Sequence, residues 1–253
     1  LFPFSKWIVK LSCLCVPGED RSVNYRESYQ LKYIGDKVVF NPATAVVEVM
    51  RELERMASLA NENLNRAMNA LITLDDEDIR EVYEVEKNID FLNHAITDYL
   101  VKINQTTLPI EDLNSLGALF HVANDIERIG DHAENMADAA VKSHEENLKF
   151  TKKGEKEIRE MHKKTTMLLE EAMEMFTTLD KKNLPDILEL EDSIDTMERE
   201  LQQNHVRRMA KGKCLPMTGI LFTDLVTGLE RVADHATNIA FSILEGDPEE
   251  VLQ

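Results

Sequence analysis

The sequence is poor in cysteine, glycine, proline, aromatic residues and positive charge, and each shortage excludes something. Three cysteines, Cys13, Cys15 and Cys214, are an odd number without the spacing of a disulfide framework, which favours a reducing compartment. Cys13-x-Cys15 has no second pair and does not make a zinc site. Nine glycines, seven prolines and 6% aromatics, beside abundant Glu, Lys, Leu, Met and Ala, favour helix over sheet. Lys and Arg number 29 against 47 Asp and Glu, a net charge of −18, which excludes a surface built for nucleic acid. No glycine-rich phosphate loop, nucleophile elbow or His-Glu-x-x-His run occurs, so no familiar enzyme class is indicated. No His follows a Glu by three residues, against a ferritin-like di-iron oxidase.

What is present is a repeated stretch. Ile126-Glu127-Arg128-Ile129-Gly130-Asp131-His132-Ala133-Glu134-Asn135 returns as Leu229-Glu230-Arg231-Val232-Ala233-Asp234-His235-Ala236-Thr237-Asn238, offset by 103 positions (Glu127 to Glu230). Upstream, Ala67-Met68 answers Ala172-Met173, and Thr73-Leu74-Asp75 answers Thr178-Leu179-Asp180. Glu84-x-Glu86-x-x-Ile89-Asp90 answers Glu189-x-Glu191-x-x-Ile194-Asp195, at an offset of 105 (Asp90 to Asp195). Blocks in the same order in both halves point to internal duplication.

Helix signals place six helices, three per repeat. The first runs from about Pro42, after the N-cap signal Asn41, to Leu74. Asp75-Asp76 starts the second, and Pro109 the third, which runs to about Ser143. Gly154 lies near the start of the fourth, ending near Asp180; Leu184-Pro185-Asp186 opens the fifth, ending near Gly212; the sixth follows Pro216 and ends near Leu244. The expected fold is all-α: two tandem three-helix bundles, residues 42–146 and 147–253, behind a stub (1–18) and a polar, irregular linker (19–41) in which Val38-Val39-Phe40 is a short extended piece. The stub is apolar but broken by Lys6 and Lys10, short of the roughly 20 apolar residues a span needs. It reads either as a free amphipathic stub or as the last turns of a membrane helix leaving at Trp7 and the two lysines.

In a helix, residues four apart share a face. Each repeat therefore carries two like-charged pairs, Glu86/Asp90 with Glu127/Asp131, then Glu191/Asp195 with Glu230/Asp234. Such a pair costs a few tenths of a kcal/mol unless a cation sits between its members. At about 100° per residue, Glu127 and Asp131 fall roughly 100° and 140° from the apolar stripe, on its shoulder. If the second and third helices are neighbours, four carboxylates converge on one groove. Hard oxygen donors suit Mg²⁺, Ca²⁺, Mn²⁺ or iron; zinc prefers nitrogen and sulfur but tolerates carboxylates. The alternative is a solvated acidic shoulder with Arg128 and Arg231 pairing locally. His132 and His235 point away from the Asp before them, as outer, capping or surface groups. Asn135 and Asn238 are on the Asp side and suit an outer role, while Glu134 and Asp224 rank lower because neither has a counterpart in the other repeat.

Two three-helix repeats carrying Glu-Arg-Ile-Gly-Asp-His-Ala and Glu-Arg-Val-Ala-Asp-His-Ala resemble the PhoU family over nearly all of Pro42 to Leu244. The resemblance implies a non-catalytic regulatory role in phosphate uptake. It also implies iron or zinc clusters on the acidic motifs, at Glu86, Asp90, Glu127, Asp131, Glu191, Asp195, Glu230 and Asp234. Leu1 to Leu11 is similar to the segment leaving the last membrane helix of bacterial sodium/phosphate cotransporters, which often carry a PhoU-like domain at the C-terminus. That likeness implies a membrane transport domain upstream in the same chain and a place on the cytoplasmic face of the inner membrane. A free-standing PhoU-type adaptor and a metal-free structural bundle are the alternatives; phosphate itself and a homodimer stay open as partners.

Overall fold

The computed structural model describes residues 29–35, 42–105 and 110–244. The stub, most of the linker, Val38–Phe40 and the Asn41 cap lie outside these described residues. Residues 1–30 and 31–253 form separate units, and everything below concerns the second.

Among the described residues there is no strand, and six α-helices account for nearly all of the second unit. They are α1 (Pro42–Thr73), α2 (Asp76–Asn104), α3 (Ile110–Glu145), α4 (Lys152–Thr178), α5 (Leu184–Ala210) and α6 (Pro216–Phe241). A 3-10 turn, Lys181–Asn183, precedes α5, where the helix signals place no element. Helix ends fall within a few residues of those expected. The stops at Leu74 and Leu179 come early because both leucines turn left-handed, with φ of 57° and 56°. The matched Thr-Leu-Asp blocks thus make the same corner twice, and each following Asp caps what comes next. Asp75 accepts from the N–H groups of Glu77 (2.8 Å) and Asp78 (3.1 Å), and Asp180 from that of Lys182 (3.1 Å). Thr151 caps α4 through the Gly154 N–H at 3.1 Å.

The apolar stripes bury as their periodicity requires. Val49, Leu53, Met56, Leu64 and Leu71 of α1 meet Val82, Ile89, Leu92 and Ile96 of α2 and Val122, Ile126 and Ile129 of α3 in one continuous core. Each such side chain contributes about 1.5–3 kcal/mol. Helices α1, α2 and α3 form one bundle and α4, α5 and α6 the other, joined along α3–α6 and α1–α4. No described helix is long and apolar enough to cross a membrane.

The expected linker differs at its described end. Leu31 and Ile34 pack on the core, and the N–H groups of Lys32 and Tyr33 donate to the fully buried Glu52 carboxylate. Arg55 holds the other oxygen of Glu52 at 2.8 Å. A buried carboxylate needs such partners, so residues 31–35 belong to the first bundle.

Candidate metal centres

In each repeat the second and third helices lie side by side, and the shoulder of that pair gathers carboxylates. Glu86 of α2 meets Asp131 and Glu134 of α3; Glu191 and Asp195 of α5 meet Asp234 of α6. Within each trio one oxygen per residue lies within 4.8 Å of the others. All six residues are half-buried.

The remaining expected residues stand around these trios. Asp90 turns to His94 one turn along α2, Oδ1 to Nδ1 3.1 Å. The Oε2 of Glu127 is buried and has no hydrogen bond among the described residues; Arg128 Nε is 3.7 Å away. Arg128 instead reaches Asp131 Oδ2 at 3.0 Å, the local pairing that a solvated shoulder would use. Glu230 stands among Asp234, Glu198 and Asp195, whose charges act on it. Glu198 is held by Thr227 and Gln202, each at 2.9 Å.

Two residues change rank. Glu134 joins the first trio although its counterpart is Thr237, whose buried hydroxyl has no partner among the described residues. The signal was present: Glu134 follows Asp131 by three residues and shares its face. Asp224 lies instead in a cleft between the repeats. The histidines and asparagines also depart from an outer role at the trios. His132 and His235 face each other across the α3–α6 seam with ring centroids 6.0 Å apart. His235 Nδ1 lies 2.8 Å from Asp125 Oδ1, to which Asn238 also donates at 3.4 Å.

The electrostatics register crowding of one sign. Burial, then the charges of Glu134, Asp131, Asp90 and Glu127, pushes the Glu86 carboxyl up to about 7. Burial, then Asp234, Glu198 and Asp195, does the same to Glu230, also to about 7, with Arg231 opposing. Glu127, Glu134, Glu191 and Asp234 are raised too, each first by burial and then by neighbouring carboxylates. A bound cation removes this repulsion. The donor set is all oxygen, matching Mg²⁺, Mn²⁺, Ca²⁺ or iron better than zinc, and the unsatisfied Glu127 oxygen fits the same occupancy.

Fold and site define a class: an all-helical protein of two three-helix repeats, each carrying a carboxylate trio between its second and third helices. The PhoU domain profile matches residues 53–140 and again 158–243, and the chain belongs to the PhoU family. It is similar to the phosphate-specific transport system accessory protein PhoU homolog 1 of Thermotoga maritima, 29% identical over 194 residues, 76% of this chain and 83% of that one. The PhoU homolog of Synechocystis is 28% identical over 202 residues, 78% of this chain and 86% of that one. The crystal structure of PhoU from Pseudomonas aeruginosa superposes with a TM-score of 0.76 at 24% identity, covering 81% of this chain and 97% of that one. The fold is shared.

Proposed function

We propose that this chain is a PhoU-type accessory regulator of phosphate transport, binding metal in both repeats and acting on a membrane transporter. The observation that carries the reading is the pair of carboxylate trios at corresponding places in a PhoU-family chain. Glu86, Asp131 and Glu134 would hold one ion, with Asp90 and Glu127 beside them. Glu191, Asp195 and Asp234 would hold the other, with Glu230 beside them. The ion supplies charge neutralisation, which ties α2 to α3 and α5 to α6; the role is regulatory and not catalytic.

The relatives' names, phosphate-specific transport system accessory proteins, support a partner encoded as a separate chain. A second form of the same role places a transport domain upstream of Leu1, supported by the Lys6, Trp7 and Lys10 segment. The coding sequence before Leu1 decides between them: several apolar runs of about 20 residues would establish the fused form.

Elemental analysis of protein purified without chelator, with and without phosphate, tests the site. Asp131→Asn with Asp234→Asn is expected to lose the bound metal; unchanged content removes the assignment. Phosphate uptake in cells carrying that double variant tests the role. Uptake is expected to escape control by external phosphate, and uptake regulated as in wild type would defeat the reading.

A further inference from the structure

Helices α3 and α6 cross the seam antiparallel, since Asp125 of α3 meets His235 of α6 while His132 of α3 faces Gly228 of α6. The duplication maps Asp125 onto Gly228 and His235 onto His132, so the seam has two related halves. In one half the Asp125 carboxylate joins His235 Nδ1 and Asn238 Nδ2, at 2.8 and 3.4 Å. In the other half the matching imidazole and carboxamide are His132 and Asn135, but the residue where the carboxylate would start is glycine. A Cβ on Gly228 would meet nothing within 4 Å except His132 Nδ1, at 3.6 Å.

That half of the seam is open. A cleft of about 510 Å³ lies there, bordered by His132, Asn135 and Gly228 and floored by Met136, Leu221 and Leu225. Neither the His132 ring nitrogens nor the Asn135 carboxamide has a hydrogen-bond partner among the described residues. Arg231, also on the wall and without an ion pair among the described residues, stands one turn from Gly228 on the side away from Asp224. The Asp138 carboxylate on the opposite wall is engaged, accepting from the Tyr83 hydroxyl at 2.6 Å.

We propose that this cleft binds a small organic carboxylate, whose head takes the place above Gly228 that the Asp125 carboxylate fills in the other half. Its oxygens accept from His132 and Asn135, and its aliphatic body lies along Met136, Leu221 and Leu225. The site is separate from the carboxylate trios and stands independently of the phosphate-transport reading.

Butyrate, acetate and inorganic phosphate, titrated into the purified protein and followed by the nitrogen signals of histidine rings and asparagine amides, test the proposal. Butyrate is expected to shift His132 and Asn135 saturably and to bind about tenfold or more tightly than acetate, because two further methylenes are buried. Gly228→Asp supplies an internal carboxylate and is expected to abolish binding. Asn135→Leu weakens it at least fivefold, while Asp125→Asn, in the other half, leaves it unchanged. The proposal is overturned if butyrate moves neither His132 nor Asn135, if the shifts survive both Gly228→Asp and Asn135→Leu in folded protein, or if phosphate alone binds.

Discussion

Asp90 Oδ1 lies 3.1 Å from His94 Nδ1 on the same helix, and Asp90 stands outside the first trio while its counterpart Asp195 joins the second. The matching position in the second repeat is Arg199, which donates to Thr196 at 3.2 Å and leaves Asp195 to join Glu191 and Asp234. In the first repeat, with Asp90 diverted, Glu134 supplies the third oxygen.

Replacing His94 with Ala is therefore expected to return Asp90 to the first trio. Metal titration should show a severalfold tightening at the first site and no change at the second. Thermal stability should barely move, because the pair is exposed. A first site weakened by the substitution would show that His94 itself serves the ion.

Glu134→Gln provides the converse test. It is expected to weaken the first site by tenfold or more, through loss of one charged ligand, while the second site, where Thr237 stands at that place, keeps its affinity. Equal losses at both sites would mean that the trios do not bind independently.

Much of this was legible in the sequence, for identifiable reasons. Pro42, Pro109 and Pro216 mark helix starts by chain stereochemistry alone, and the Thr-Leu-Asp blocks repeat one corner. The spacing of Glu86, Glu127, Glu191 and their partners fixes which shoulder of each helix they occupy. The choice of third ligand was not legible, because Asp90 and Asp195 hold the same place in the repeat yet only Asp195 joins its trio. Requiring a counterpart in each repeat hid Glu134, since the duplicated halves have diverged to Thr237. The seam partners of His132 and His235 needed the antiparallel crossing of α3 and α6. The docking of residues 31–35 needed the buried Glu52, whose donors, the N–H groups of Lys32 and Tyr33, no local pattern reveals.

The pH dependence of the metal-free protein follows from Glu86 and Glu230. Their folded carboxyls are raised to about 7 from an ordinary value of 4.5, so the folded state holds protons that the unfolded chain releases. Their contribution is fully present below pH 4.5 and is lost as pH rises through about 7. Both groups are only half-buried, so after solvent screening the loss is on the order of 1 kcal/mol. Thermal melts of chelator-treated protein between pH 5 and 8 should fall by a few degrees, and a divalent cation should restore the loss most at the alkaline end. A melting temperature that rises over this range would contradict the crowding.

Asp125 is buried, and its carboxylate joins the two repeats through His235 and Asn238. Asp125→Ala removes the partner of the half-buried His235 and is expected to cost about 1–3 kcal/mol, measured by denaturant unfolding. If the repeats then unfold in two steps, this contact is what couples them; a single transition at unchanged midpoint would show the apolar packing of α3 on α6 to be sufficient.

Helix α6 approaches α5 closely at Gly219. A Cβ on Gly219 would stand 2.5 Å from Met209 Sδ and 2.9 Å from His205 Nε2. The thioether end can swing aside, but the His205 ring cannot follow. It stacks on Phe222 with centroids 4.5 Å apart, and its other nitrogen lies 3.2 Å from Arg208, which in turn pairs with Glu157 at 2.6 Å. Gly219→Ala should therefore cost about 1–3 kcal/mol by overpacking. Gly117→Ala on α3, where nothing among the described residues lies within 4 Å of the added methyl, should stabilise by about 0.5–1 kcal/mol through helix propensity alone. Opposite signs from the same substitution in two helices, read by thermal melting, would place the constraint in the His205–Phe222 stack; matching signs would deny it.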